Sequence, residues 1–340
     1  MCCFSVEMSM QTSKPSYFDR FSCLAAACPD SCCKEWDVAV DEQAAAYYRT
    51  LPGDLGQRLR QVLTEEDGKT YMTIENSRCP MWRNDGLCRI QAELGQDALC
   101  KTCREFPRLT HDYDVFTELG LELSCPEAAR LILSCPAAPL PLPELTDCED
   151  YAREDMELLL QTRLEALTLL DRQDLTVPQI LSLLLLYGYH TQSLLDGEDT
   201  PDFSLDIALD TAKELAKPGS CRSIREFFLS LEILTPGWKQ RLTAPSCPSK
   251  WEEAYRLLAK YFVQRYWLQA ISDFDLVSRV KLTILLCILI RDLGGDLTET
   301  AQLCSKEIEN NADNVDAILD AAYTCPAFTD DKLLGLLLLE

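Results

Sequence analysis

Apolar positions in the second half of the chain recur at helical spacing. Met156, Leu160, Leu164 and Leu167 stand four, four and three residues apart, which places them on one helix face. Tyr255, Leu258, Phe262 and Tyr266 follow at three, four and four. Just ahead of them, Ser249-Lys250-Trp251-Glu252 has capping-box spacing and predicts a helix start. Pro178 suits the first turn of another helix, which continues as a Leu-rich run through Tyr187. Lys217-Pro218-Gly219 stops a further helix. Val280–Ile290 reads as a buried helix, with shorter ones after it. The aromatic stretch Tyr261–Trp267 reads as a core stripe rather than a binding surface. No repeat of fixed period runs through the chain.

The first half is less regular. Residues Trp36 to Asp41 alternate as a short strand does, and so do Tyr71 to Ile74. Asp41–Arg60 has a helical pattern broken near Pro52-Gly53. The stretch from Cys135 to Glu144 carries four prolines in ten residues and reads as an extended linker. These patterns predict a mainly α protein in two parts. Residues 1–145 form an irregular, cysteine-rich, metal-binding domain with a few short strands, and residues 146–340 form an α-helical domain.

Composition adds that the 340-residue chain, at 47% hydrophobic residues, has enough apolar mass for a substantial core. The formal net charge of −23 repels phosphate backbones, which argues against nucleic acid as a partner and favours a basic or lysine-bearing one. Met1 to Lys14 has no basic segment followed by an apolar one, so the expected compartment is a reducing cytoplasm. The longest apolar runs, Leu282–Ile290 and Leu333–Leu339, fall short of the roughly 18–20 residues of a spanning helix.

Cysteine changes the picture most. The chain has 18, and 13 of them lie in the first 150 residues. Clustered cysteines in a reducing compartment are more often ligands or catalytic thiols than disulfides. Here they form short-spaced groups: Cys23-x4-Cys28-x3-Cys32-Cys33, then Cys79-x8-Cys88, then Cys100-x2-Cys103, then Cys125 before Pro126. Short loops between ligands make convergence of thiolates on one ion or cluster cheap in entropy. Buried structural cysteines, the alternative, do not account for the adjacent pair or for the CxxC. The metal ligands expected are therefore Cys23, Cys28, Cys32, Cys33, Cys79, Cys88, Cys100, Cys103 and Cys125. Sulfur-only donors suit zinc and iron–sulfur clusters alike. Nine thiols exceed the four of one centre, so either there are two centres or some thiols are structural or redox-active. Cys2 and Cys3 lie at the terminus and are left out.

Other signatures are missing. No G-x-G-x-x-G, G-x-S-x-G or H-E-x-x-H occurs. The two histidines, His111 and His190, leave little room for Cys–His catalysis. His111 lies near the cysteines. His190 ends an apolar helix and reads as a core or surface residue.

The residues resemble the flagellin lysine N-methylases. The resemblance is carried by Lys14-Pro15-Ser16-Tyr17-Phe18-Asp19, by Phe21-x-Cys23 and by Cys28-Pro29-Asp30-Ser31-Cys32-Cys33-x-x-Trp36 with Val38 and Asp41. Arg78-Cys79-Pro80, Gly86-Leu87-Cys88-x-Ile90 and Leu94-Gly95-x-x-x-Leu99-Cys100-x-Thr102-Cys103-Arg104-x-Phe106-Pro107-Arg108 continue it. Leu123 to Arg130 is similar again, and Tyr266-Trp267 and Val280-Lys281-Leu282 more weakly. The resemblance implies methyl transfer to lysine side chains of flagellin, with S-adenosylmethionine as donor. It also implies an iron–sulfur cluster, [4Fe-4S], held by these cysteines. The N-terminal motifs are shared more loosely with zinc- or iron-binding cysteine-cluster proteins, which keeps zinc as the alternative.

The chain departs from two common methyltransferase designs. It has no glycine-rich donor loop, and Cys28-x3-Cys32 is followed by Glu35 where a radical enzyme using this donor has its third cysteine. A lysine nucleophile, with an ordinary pKa near 10.4, must lose a proton before attack. Asp30, Asp37, Tyr113 and Glu118 are equal candidates to assist. The alternative to an enzyme is a non-enzymatic zinc- or iron–sulfur-binding module for interaction or redox sensing.

Overall fold

The structure is a computed structural model that describes residues 11–339 except Glu35 and Asp37. Cys2 and Cys3, most of the Met1-to-Lys14 segment and the candidate carboxylate Asp37 lie outside the described residues. The protein is mainly α, as the apolar periodicity predicts. Its strands are short: β1 (Gln11–Ser13), β2 (Val38–Val40), β3 (Leu63–Glu66), β4 (Lys69–Met72), β5 (Arg108–Asp112) and β6 (Phe116–Leu121). They form two three-stranded sheets, ordered β1-β6-β5 and β2-β4-β3.

The two sheets belong to different hydrophobic cores. The smaller core gathers Val38, Val40, Tyr48, Leu59, Val62, Met72, Met81, Ile90 and Leu99 around β2, β4 and two helices. Those helices are Glu42–Thr50 and Gly53–Val62, divided at Pro52-Gly53 where the sequence breaks its pattern. Asp41 caps the first by accepting from the Ala44 amide. Alternation in β2 is real: Val38 and Val40 are buried and Ala39 is exposed. β3 and β4 are joined through Asp67 and Gly68, both at positive φ, as a tight hairpin turn requires.

The larger core takes in Tyr17, Phe18, Phe21, Phe116 and Leu121 from the N-terminal half together with the helices beyond residue 125. Helix Arg153–Leu170 buries Met156, Leu160 and Leu167, three of the four positions in its predicted stripe. Helix Val177–Leu195 starts with Pro178 in its first turn and a Thr176–Gln179 capping box. Tyr255, Leu258, Phe262 and Tyr266 are all buried in helix Ala254–Tyr266. Helix Leu276–Leu293 contains the predicted Val280–Ile290 run. The segment after Lys217 crosses helix Asp330–Leu338 so closely that a Cβ on Gly335 would stand 1.7 Å from the Lys217 carbonyl oxygen.

Ser249 does not cap a helix. Its amide donates to the Arg291 carbonyl, and its own carbonyl accepts from the Arg291 guanidinium. That pairing holds the segment extended, and the helix begins later, at Ala254. The proline-rich stretch is irregular, as expected, but not free. Gln11 exchanges hydrogen bonds with the Glu144 backbone at 2.8 and 2.9 Å, and Leu140 is buried. β1 pairs in parallel with β6, and β5 pairs antiparallel with it. On this sheet Glu118 makes a bidentate pair with Arg163 at 2.6 and 2.7 Å, both side chains 4% exposed. No helix of the described residues is long and apolar enough to cross a membrane.

Candidate metal centre

Backbone hydrogen bonds draw the cysteine groups together. In the first group the Cys28 thiol donates to the Asp30 carbonyl at 3.2 Å, and the Cys33 amide donates to Ser31 Oγ at 3.1 Å. The Cys33 carbonyl then accepts from the Cys79 amide at 2.8 Å, which joins the first group to the second. Lys34 and Arg78 form a β-bridge beside this contact, and Trp82 and Cys88 form another. The third group is fixed by Asp41, which accepts from the Lys101 amide at 2.7 Å, and by Thr102, whose hydroxyl donates to the Ala39 carbonyl.

Three cysteines stand at the N-cap positions of helices: Cys88 before Arg89–Leu94, Cys100 before Lys101–Glu105, and Cys125 before Pro126–Ser134. The amides of Ile90 and Gln91 face the Cys88 sulfur, and those of Glu127 and Ala128 face Cys125, without closing full capping hydrogen bonds. Amides aimed at sulfur favour a thiolate, but at Cys88 and Cys125 burial outweighs them.

All nine expected ligands line one cavity of about 400 Å³. This is within the size range of ligand sites. Apolar walls from Phe21, Trp36, Met72, Met81 and Phe106 surround the sulfurs. Cys32 and Cys103 have accessible surface although protein encloses them, because the surface they expose is the cavity wall. Every described cysteine is a free thiol.

Burial pushes the Cys79 thiol up to about 12 and Cys125 up to about 11, and it also raises Cys88 and Cys28. Hydrogen bonding between thiols links Cys32 with Cys33 and Cys100 with Cys103, so one member of each pair ionises more readily and its partner less. Among the described residues no three His, Cys, Asp or Glu side chains stand close enough to grip a single ion. Four thiolates about 2.3 Å from one zinc ion crowd closely together. The donor set is thiol-rich, and neither histidine lines the cavity. The donor chemistry is that of a sulfur-ligated centre, with the thiols lining one cavity and no three of them drawn onto one ion.

The helical half grips this site through one helix, Leu297–Ile308. Its Gln302 donates to Asp30 Oδ2 at 2.9 Å and to the Ser124 carbonyl at 2.6 Å. Its Lys306, 1% exposed, pairs with Asp30 at 3.1 Å and lies 5.1 Å from the Trp36 ring centroid. Lys34 pairs with the other Asp30 oxygen at 2.6 Å. Burial works to raise the Asp30 carboxyl, but the hydrogen bond from Lys34 and the charge of Lys306 outweigh it and hold the group below its ordinary value. Asp30 is thus a tied, ionised carboxylate on the cavity wall.

Glu118 is committed to Arg163, and Tyr113 is buried in the larger core, where loss of solvation raises its pKa. Neither lines the cavity. His111, in β5, is pulled down to about 4 by burial and the nearby Arg265 charge, so it stays neutral, and it stacks by Tyr113 and does not line the cavity. His190 packs among Tyr187 and Phe203. Sequence spacing missed Arg104, Arg108 and Glu127 on the cavity wall, as well as Gln302 and Lys306 behind it. The last two carry no local motif. Lys306 shows itself only as a lysine in the buried stripe of an amphipathic helix.

Comparison with known proteins finds curated relatives in Salmonella. A protein of Salmonella typhimurium named Lysine-N-methylase is 33% identical over 133 residues, which cover 37% of this chain and 33% of that protein. One of the same name from Salmonella choleraesuis is 32% identical over the same length. The flagellar biosynthetic protein FliU of Salmonella muenchen is 32% identical over 133 residues, 79% of its length. The match thus spans only about a third of the Lysine-N-methylases themselves. No family model and no solved structure matches the chain. With FliU covered over most of its length at this identity, and with the cysteine motifs in place, the chain belongs to the flagellin lysine N-methylase family.

Proposed function

We propose that the protein is a lysine N-methylase that acts in the cytoplasm on flagellin, takes its methyl group from S-adenosylmethionine and depends on a cysteine-ligated iron–sulfur centre. The names of its relatives support lysine methylation, and FliU supports the flagellar link. The single observation behind the metal dependence is the cavity that gathers Cys23, Cys28, Cys32, Cys33, Cys79, Cys88, Cys100, Cys103 and Cys125. An iron–sulfur cluster there supplies redox or Lewis-acid chemistry. The chain's own cysteines would hold it among the apolar side chains of the wall, where the carboxylate of Asp30 is tied to Lys34 and Lys306. The net charge of −23 favours a lysine-bearing protein partner.

The test is anaerobic purification, metal and sulfide analysis, and incubation with S-adenosylmethionine and flagellin. The expected result is a brown protein and a flagellin mass gain of one or more methyl groups. A metal-loaded protein that transfers no methyl group would leave the interaction or redox-sensing module standing instead. A colourless protein carrying stoichiometric zinc would replace iron–sulfur with zinc.

A further inference from the structure

The nine thiols do not sit evenly around the cavity. Cys125 belongs to the larger core at the head of helix Pro126–Ser134, and Phe21, two residues before Cys23, is in that same core. Cys79 and Cys100 are buried members of the smaller core, and Cys33 and Cys88 pack against it. The Cys33–Cys79 backbone hydrogen bond keeps those two on the same side. The electrostatic neighbours follow the same division. Cys23 and Cys28 act on Cys125, while Cys32 is tied most strongly to its neighbour Cys33 by a thiol hydrogen bond and after it feels Cys23 and Cys125. Cys33 and Cys100 act on both Cys79 and Cys88. The two groups meet at the adjacent Cys32 and Cys33 and at Cys103, which lies near both.

We propose that the cavity holds two sulfur-ligated centres: one on Cys23, Cys28, Cys32 and Cys125, the other on Cys88 with three of Cys33, Cys79, Cys100 and Cys103. The proposal rests on the metal-binding reading above and goes beyond it in number and in ligand assignment. A four-coordinate ion or a cubane cluster uses four cysteines. A single centre would therefore leave five thiols enclosed in the cavity without a role. The Cys32-Cys33 dipeptide is the hinge of the arrangement: neighbours in sequence, they serve opposite sides and set the two centres side by side. Each ligating thiol releases its proton to solvent. The two cores supply different walls, so the two centres have different surroundings and need not share an affinity.

The full chain is reconstituted anaerobically with ferric iron, dithiothreitol and sulfide, and in parallel with zinc alone. Bound metal per chain is measured for the wild type, for C125S and C88S, for the same-side pair C28S/C125S and for the cross-side pair C88S/C125S. The expected result is that each single variant loses half the metal, C28S/C125S loses no more than C125S, and C88S/C125S loses all of it. Where a variant fails to fold, wild-type stoichiometry decides: two centres' worth of metal supports the division, and one centre's worth overturns it while leaving metal binding intact. Complete loss in every single variant also overturns the division. A wild type that takes up neither metal overturns the metal-binding reading, and the division with it.

Discussion

The two hydrophobic cores rest on different chemistry. The larger one is closed by aliphatic and aromatic packing, with Leu181, Leu184, Leu258, Phe262, Leu282 and Leu285 fully buried on long helices. The smaller one has short helices, a small sheet and two cysteines among its buried members. A core of that size yields little net stability by apolar burial alone. Thiols that line a cavity add nothing until a metal joins them. The comparison teaches that the helical region has packing enough to hold its shape, whereas the cysteine-rich region would draw part of its stability from the proposed metal.

Metal removal should produce the largest effect. Structural metal sites contribute on the order of 10 kcal/mol to folding. A chelator should therefore leave helices such as Val177–Leu195 protected in hydrogen exchange while residues 38–100 lose protection. Equal loss across both regions would break the comparison. Next comes the buried pair in the larger region. Replacing Arg163 with Met removes the charge that neutralises the buried Glu118 carboxylate, leaving it the Gln264 amide, and should cost about 3–5 kcal/mol. Thermal unfolding should show the cost, and bound metal should stay unchanged.

The third expectation concerns the clamp between regions. Lys306→Met removes a charge that holds Asp30, and partners beyond the ligands typically change metal affinity about 10–100-fold. Competition with a metal chelator should show a loss in that range, although Lys306 belongs to the helical half. An unchanged affinity would mean that the two regions are independent. The smallest effect concerns pH. In the metal-free protein, burial in the larger core raises Cys125 from 9.0 to about 11. The unfolded chain therefore loses this proton first, so its contribution is present below pH 9.0 and is lost as pH rises toward 11. Chemical denaturation of metal-free C125A should show a shallower decline over this window than the metal-free wild type. An identical slope would remove Cys125 from the account.

Legibility followed the range of the forces involved. The stripe of Met156, Leu160 and Leu167 and the break at Pro52-Gly53 are local, set by helical geometry and by proline, and both read correctly. Strands β5 and β6 were not anticipated. Arg108–Asp112 is a charged segment with at most half-buried residues, and it becomes a strand because β6 gives it an edge to pair with. Ser249 misled because its capping-box spacing is genuine, but hydrogen bonding to Arg291 wins over the local cap.

For the site, residue type and spacing alone named the nine cysteines, because thiol chemistry and short loops belong to the chain itself. Sequence also determined the helical character of the second half, since periodicity needs no partner. Only the tertiary structure decided that all nine line one cavity, that they fall to two sides of it, and that Lys306 reaches Asp30 across 276 positions of chain. Those outcomes depend on which surfaces pack together. That is a competition among long-range contacts, and no window of sequence contains its terms.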